Sequence, residues 1–156
     1  MQRLFIASLL FVLAGCATKY QDMGFTGGVG AQQLTSDTFR IQAKGNGFTS
    51  AASVQDYVLL KAAETTKQNG GTHFILIGAA NTTRVDQLQT PGTAQTTFVG
   101  NNASTTYTPG STQTIIKPGQ DAYIRVLNVK AGQTPPAGAI SADEIIKYVG
   151  PRVQRG

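Results

Sequence analysis

The side chains that most often carry chemistry in proteins are few and isolated in this sequence. The chain has one histidine, His73, and one cysteine, Cys16, together with only 8 aspartates and glutamates in 156 residues. A metal site, or a nucleophile with its base, requires several such groups at matched spacing, and the sequence contains no such cluster. We therefore predict no catalytic, metal-binding or cofactor-binding residue. For His73 we expect a polar position at a strand end with a satisfied hydrogen bond.

Asp56 and Glu64 could in principle form a catalytic pair of carboxylates. They lie eight residues apart in a segment with helical periodicity, so both fall near one helix face. Two helix turns separate their backbones by about 12 Å, whereas the carboxyl groups of glycosidases stand roughly 5–9.5 Å apart. Lys61 precedes Glu64 by three residues. We therefore predict ion pairing on the helix surface rather than catalysis.

Cys16 is distinguished by the residues that precede it. Arg3 gives the N-terminus a positive charge, and residues 4–13 form an uncharged, largely apolar run. A run of this length covers about 15 Å as a helix, half of a hydrocarbon core, so we predict a cleavable signal peptide over residues 1–15. The sequence LAGC at 13–16 resembles the lipobox of bacterial lipoproteins. The resemblance implies that the cysteine thiol carries diacylglycerol and that its new amino group is acylated.

Lipidation of Cys16 has consequences for anchoring, for the fold and for location. Two or three acyl chains anchor a protein stably, whereas one chain alone binds only marginally. Because lipid consumes the only thiol, the fold must hold without disulfides. Ala17 follows the cysteine, whereas in enteric bacteria an aspartate at this position retains lipoproteins in the inner membrane. By this analogy we expect a cell-envelope protein anchored in the outer membrane.

The charge distribution argues against a nucleic-acid partner. The chain carries 13 lysines and arginines against 8 acidic residues, a formal net charge of +5. The positive residues are scattered singly, without the cluster or basic helix that nucleic-acid binding requires. A mildly basic protein at a membrane surface suits anionic lipid or envelope polysaccharide better.

The remaining chain is long enough for one domain, and its patterning predicts an α+β fold. Residues 16–30 are rich in glycine and poor in apolar residues, so we predict a flexible, lipid-anchored tether. A single small α+β domain should then occupy residues 31–153. We expect an antiparallel or mixed sheet of about four strands, one long helix and a short C-terminal helix.

Periodicity and capping signals give the predicted elements of this domain. Alternation of apolar and polar residues predicts strands, and apolar residues at helical spacing predict the long helix. Thr49 or Ser50 should cap that helix, and Gly70 should stop it. A capping box, SADE, opens the short helix. The predicted elements are a hairpin of strands 29–34 and 38–44, the helix 51–69, strands 73–80 and 122–130, and the helix that follows residues 141–144.

Residues 81–120 differ in composition from the rest of the domain. They contain eleven threonines, three prolines and four glycines, and only three charged residues. A loop of this length inside a compact domain is generally functional or disordered. TTFV at 96–99 and TTYT at 105–108 favour strands and could pair as a protruding hairpin. The sequence leaves open whether this Thr/Gly/Pro-rich insertion is a hairpin or disordered.

Several motifs together resemble a family of small, uncharacterised proteobacterial lipoproteins. Besides the lipobox, the motifs that carry the resemblance are GNGFTS at 45–50, DY at 56–57, KAAE at 61–64, KPG at 117–119 and SADEIIKYVGPRV at 141–153. The match covers most of the chain after Cys16. The resemblance implies an envelope lipoprotein with one α+β domain, and it carries over no catalytic or binding residues. The passage from AAE through glycine to a strand is also weakly similar to a stress-sensing outer-membrane lipoprotein, whose disulfide cysteines are missing here.

These observations favour contact with a partner over catalysis. Aromatic and arginine side chains are frequent interface anchors, so Phe48, Tyr57, Tyr148 and Arg152 form our candidate interaction surface. We expect a non-enzymatic outer-membrane lipoprotein, an interaction or structural module whose partner is an envelope protein or polysaccharide. The alternatives are a small ligand-binding or hydrolytic periplasmic domain and an envelope stress sensor.

Overall fold

Nine strands, two α-helices and one short 3-10 helix form within residues 16–156, which are the residues that this computed structural model describes. The predicted signal peptide, residues 1–15, lies outside the described residues. The elements are β1 (Gly28–Gln33), β2 (Thr38–Lys44), α1 (Ala51–Gln68), β3 (His73–Asn81), β4 (Arg84–Thr90), β5 (Thr93–Val99), β6 (Asn102–Thr108), β7 (Ser111–Lys117), β8 (Gly119–Leu127), β9 (Ala139–Ser141), α2 (Ala142–Tyr148) and the 3-10 helix Gly150–Arg152.

The chain divides into two compact units. Among the described residues, the first comprises residues 16–84 together with Lys117–Gly156, and the second comprises Val85–Ile116. The first unit contains both helices and a five-stranded sheet in the order β1-β2-β8-β3-β9. The predicted α+β class is therefore confirmed. The prediction of about four strands is wrong, because the second unit adds four strands and β9 adds a fifth strand to the main sheet.

Every neighbouring pair in the five-stranded sheet is antiparallel. Since β2 and β3 both run antiparallel to β8, they run parallel to each other, and α1 makes the crossover between them. The predicted hairpin is confirmed, with Gly28 opposite Lys44 and Gln33 opposite Phe39. The strand β9 escaped prediction because three residues are too few to show alternation.

Helix α1 begins and ends where its capping signals predicted. The Ser50 hydroxyl accepts a hydrogen bond from the backbone N–H of Ser53 at 3.0 Å. At the other end Gly70 has a φ of +72°, the left-handed conformation that terminates helices. The buried stripe of α1 packs against one face of the sheet. The largest fully buried side chains there are Phe74, Ile41, Leu60, Ile124, Val29, Val54, Val58 and Thr66.

The predicted tether, residues 16–30, is wrong in its flexible character, because both ends of this segment pack into the first unit. Thr18, Tyr20 and Val29 are buried. The Tyr20 ring packs edge-on against the Tyr57 ring, with centroids 5.7 Å apart. Gly27 shows why composition misled: its φ is +107°, and an added Cβ would stand 2.3 Å from a backbone oxygen of the neighbouring β2. These glycines permit close backbone approach rather than freedom of movement.

The Thr/Gly/Pro-rich insertion is ordered as strands. Strands β5 and β6 pair antiparallel, with Thr96 opposite Thr105 and their hydroxyls 2.8 Å apart. Strands β4 and β7 form a second ladder. The predicted hairpin is therefore confirmed and the disordered alternative is wrong. The second unit is shorter than the predicted 81–120, because β3 continues to Asn81 and β8 already begins at Gly119.

The C-terminal part of the first unit follows its local signals less closely. The hydroxyl of Ser141 accepts a hydrogen bond from the Glu144 N–H at 3.4 Å, as the capping box predicted. Strand β8 ends at Leu127, three residues before the predicted end at 130. The backbone N–H of Val129 bonds the Thr72 hydroxyl at 2.9 Å instead of a neighbouring strand. A side-chain partner thus ends the strand, which alternation cannot indicate.

Candidate functional site

The segment from Cys16 to Thr18 is fixed to the turn that precedes α1. The Asn46 side-chain amide donates to the backbone carbonyl of Cys16 at 2.7 Å. The Asn46 side-chain oxygen accepts from the Phe48 N–H and from the Thr49 hydroxyl, both at 3.0 Å. One asparagine therefore shapes the GNGFTS turn and holds the cysteine backbone against it. The Cys16 side chain itself is exposed.

Thr18 is the first buried residue after the cysteine, and all its polar groups are bonded. Its N–H donates to the Thr49 hydroxyl at 2.9 Å, and its own hydroxyl donates to the Thr26 carbonyl at 2.8 Å. The Thr18 hydroxyl also accepts from the Asn46 N–H at 3.0 Å. The Tyr57 hydroxyl donates to the Thr18 carbonyl at 2.7 Å. These four bonds fix the chain two residues after Cys16.

A cavity of about 470 Å³ opens beside Cys16. Phe48, Tyr57 and Arg152, three of the four predicted interaction residues, line it, while Tyr148 does not. The side chains differ in their availability. Phe48 is 76% exposed and Arg152 is exposed, whereas Tyr57 is buried and its hydroxyl is already bonded. Tyr57 therefore supports this surface from beneath and is not an exposed anchor; burial raises the pKa of its hydroxyl.

Tyr148 lies on α2, with its side chain exposed. The Lys147 amino group stands 5.0 Å from the centre of its ring, a cation–π arrangement. The four predicted residues therefore do not share one cavity. Phe48, Tyr57 and Arg152 line the cavity beside Cys16, whereas Tyr148 lies elsewhere on the first unit.

A second cavity, of about 460 Å³, adjoins the GNGFTS turn. Asn46 lines it, as do the fully exposed Phe25 and three basic side chains. The basic residues are Lys44, Arg84 and Lys117. The sequence gives no signal for Phe25, because a phenylalanine in a glycine-rich stretch without periodicity indicates neither burial nor a site.

The two carboxylates of α1 form ion pairs, but with partners that their spacing did not indicate. The Arg152 guanidinium donates to both Asp56 oxygens, at 2.7 and 3.2 Å. Arg155 donates to Glu64 at 2.9 Å, and the Tyr20 hydroxyl donates to the same carboxylate. Ion pairing is thus confirmed for both, while the expected helical partner Lys61 instead stands 4.0 Å from Asp22. These carboxylates attach the C-terminal segment to α1.

His73 has the structural role that the sequence predicted. Its ring nitrogen Nδ1 lies 2.9 Å from the Thr72 hydroxyl, and the residue is half-buried at the start of β3. Among residues 16–156 no group of three or more histidine, cysteine or acidic side chains is placed to hold a metal ion. Within the same residues, none of the helices has the length and hydropathy needed to cross a bilayer.

We expect the stability of the first unit to fall at alkaline pH because of Tyr20. Burial and the hydrogen bond to Glu64 raise the pKa of its hydroxyl above the ordinary value. The folded chain then keeps a proton that the unfolded chain releases above about pH 10. The free energy of unfolding is therefore retained below that pH and lost as the pH rises further.

Tyr20→Phe isolates this effect. We expect the variant to lose about 1–2 kcal/mol near pH 7, because the bond to the charged carboxylate is removed. Above pH 10 its stability should fall less steeply than that of the parent protein. Urea unfolding from pH 7 to 11.5 measures both differences. Tyr148→Phe, which removes an exposed hydroxyl, serves as the control, and an equal alkaline slope in all three proteins would contradict the prediction.

No protein-family model, no curated protein and no solved structure matches this chain. The resemblance to small proteobacterial lipoproteins therefore stays a prediction.

Proposed function

We propose that this protein is a lipid-anchored module of the bacterial outer membrane that acts through contacts rather than catalysis. The observation that carries the proposal is the position of Cys16. The residue follows the LAGC pattern at 13–16 and presents an exposed thiol at the surface of the first unit. Acyl chains on that thiol and on the new amino group would hold the protein stably at a bilayer. Ala17 at the following position supports the outer membrane as its location.

The partners of the polar groups support a role without catalysis. Asp56 and Glu64 are each held by an arginine, and His73 bonds the neighbouring threonine hydroxyl. A general base or acid must instead be free to exchange a proton with a substrate. The groups that looked reactive in the sequence therefore act as structural ties.

The second unit supplies a surface suited to a partner. Ala94, Phe98, Ala103 and Tyr107 share one face of the β5–β6 hairpin, because Ala94 pairs with Tyr107 and Phe98 pairs with Ala103. Phe98 and Tyr107 are 74% and 67% exposed. A two-stranded hairpin is marginally stable alone in water, and an exposed aromatic face gains by being covered. We propose an envelope protein or polysaccharide as what covers it.

A photo-crosslinking amino acid at Phe98 tests this proposal in intact cells. We expect a discrete adduct of higher mass from position 98. The matched control is the same amino acid at Thr97, which is also exposed but points to the opposite face of β5. An adduct from 98 and not from 97 supports contact through the aromatic face. The absence of any adduct from 98, or equal adducts from both positions, would refute it.

A small ligand-binding domain is the second candidate, and the cavity beside Cys16 favours it. Its volume of about 470 Å³ lies within the roughly 300–1,000 Å³ of small-molecule sites. Arg152 in its lining is paired with Asp56, so an anionic ligand would have to compete with that carboxylate. Ligand-dependent stabilisation of the protein that Arg152→Ala abolishes would favour this candidate.

A further inference from the structure

The geometry points to a second attachment to the membrane: the surface around Cys16, which includes Phe25 and Phe48, lies in the headgroup region of the bilayer. We call this surface the anchor face. It comprises Cys16, Phe25, Phe48 and the basic residues Lys44 and Lys117. The inference rests on the proposed lipidation of Cys16 and adds an orientation to it. Its occupant is lipid.

Only a short length of chain separates Cys16, the proposed site of acylation, from the folded unit. Thr18 is fixed by four hydrogen bonds, and the carbonyl of Cys16 is itself held by Asn46. Residues 16–18 span at most about 7 Å even when extended. An acylated Cys16 therefore cannot hold the domain at a distance from the bilayer. The surface that surrounds the cysteine must face the lipid.

The anchor face presents two exposed phenylalanine rings. Phe48 is 76% exposed, and Phe25 is fully exposed. The hydrogen bonds around Asn46 and Thr18 hold both rings near Cys16. Asn46 accepts from the Phe48 N–H, and the Thr18 hydroxyl donates to the carbonyl of Thr26, next to Phe25. Exposed phenylalanines near a lipid anchor gain by leaving water for the boundary between headgroups and acyl chains.

The anchor face also carries basic side chains. Lys44 and Lys117 line the cavity beside Phe25. Basic side chains near a bilayer are attracted to the phosphates of anionic lipids. Apolar rings that insert and cations that meet phosphates are the combination that interfacial membrane contacts use. The anchor face carries both around the predicted site of acylation.

Tryptophan fluorescence measures the depth of this face directly, because the chain contains no tryptophan. Phe25→Trp and Phe48→Trp each place one fluorophore on the anchor face. Leu34→Trp is the matched control, since Leu34 is also exposed but lies at the turn between β1 and β2. The opposite end of β2, at Lys44, is about 20 Å from that turn.

The lipidated variants are reconstituted into vesicles of phosphatidylethanolamine and phosphatidylglycerol, with and without brominated acyl chains. We expect blue-shifted emission for Phe25→Trp and Phe48→Trp. Brominated lipid should lower their emission roughly two-fold or more, because interfacial insertion reaches about 5–10 Å into the bilayer. Leu34→Trp should keep water-like emission and resist quenching.

The possible failures are distinguishable. Water-like, unquenched emission from positions 25 and 48 in protein that sediments with the vesicles would overturn the anchor face while leaving lipidation intact. A blue shift that the unacylated Cys16→Ala form of each variant already shows in water would mean that the rings are covered within the protein or by a second copy of the chain, and would overturn the anchor face as well. Unacylated protein that stays in the supernatant would overturn the proposed function and, with it, this inference.

Discussion

Cys16→Ala releases the protein from the membrane fraction, and this is the largest effect that we expect from any single substitution. Without the thiol no diacylglycerol can be attached, so the variant accumulates as soluble protein or keeps its leader. Each buried methylene of an acyl chain contributes about 0.8 kcal/mol to membrane binding, so two or three chains bind far more strongly than the two phenylalanine rings of the anchor face. Membrane fractionation with intact-mass measurement gives the result.

The substitution leaves the fold unaltered. Asn46 bonds the backbone carbonyl of residue 16, which alanine retains, and the Cys16 side chain is exposed. Ala17→Ser is the matched control, because it changes the neighbouring small residue and keeps the thiol. We expect this control to stay with the membrane and to carry acyl mass. A Cys16→Ala protein that fractionates like the parent would refute lipidation.

Phe74→Ala destabilises the first unit by about 3–5 kcal/mol, the usual cost of removing a buried phenylalanine. Phe74 is 0% exposed and lies on β3, between β8 and β9 and facing α1 in the core. Domains of this size are stable by about 5–15 kcal/mol, so the substitution removes a large part of the total. Urea unfolding followed by circular dichroism measures the loss.

Phe98→Ala provides the comparison within the same protein. Phe98 lies in the second unit and is 74% exposed, so the same deletion of a benzyl ring opens no cavity. We expect its effect on stability to be within about 0.5 kcal/mol. Similar losses from Phe74→Ala and Phe98→Ala would mean that the core is not where the buried residues place it.

Local patterns explain which elements were predictable. The alternation of Phe39, Ile41 and Ala43 predicted β2. The residues Thr49 or Ser50, together with Gly70, predicted the two ends of α1, and Ser50 is the one that caps the helix. These signals act between residues that are close in the sequence, with periods of 2 and 3.6. The ladder from 93 to 108 was also within reach, because threonine and aromatic residues favour strands, although composition left disorder open.

Such local patterns could not predict the contacts that build the candidate site. Thr18 meets Thr49 across 31 residues, and Glu64 meets Arg155 across 91. Composition predicted a flexible segment before β1, because the sequence does not distinguish a glycine that allows close backbone packing from a glycine in a flexible linker. The exposure of Phe25 was equally unpredictable, because no periodicity surrounds it. Tyr57, by contrast, falls at helical spacing with Val54 and Val58, a pattern that favours the burial found.

The sequence by itself determined the predicted lipobox at Cys16, the α+β class, the caps of α1 and the strand character of β1 to β3. Only the tertiary structure decided that Cys16 lies two residues from a fixed core, that arginines of the C-terminal segment hold Asp56 and Glu64, and that two exposed phenylalanines lie near Cys16. The physical reason is one of range. Periodicity and capping are set by neighbours along the chain, whereas burial and ion pairing depend on which distant segments the folded chain brings together.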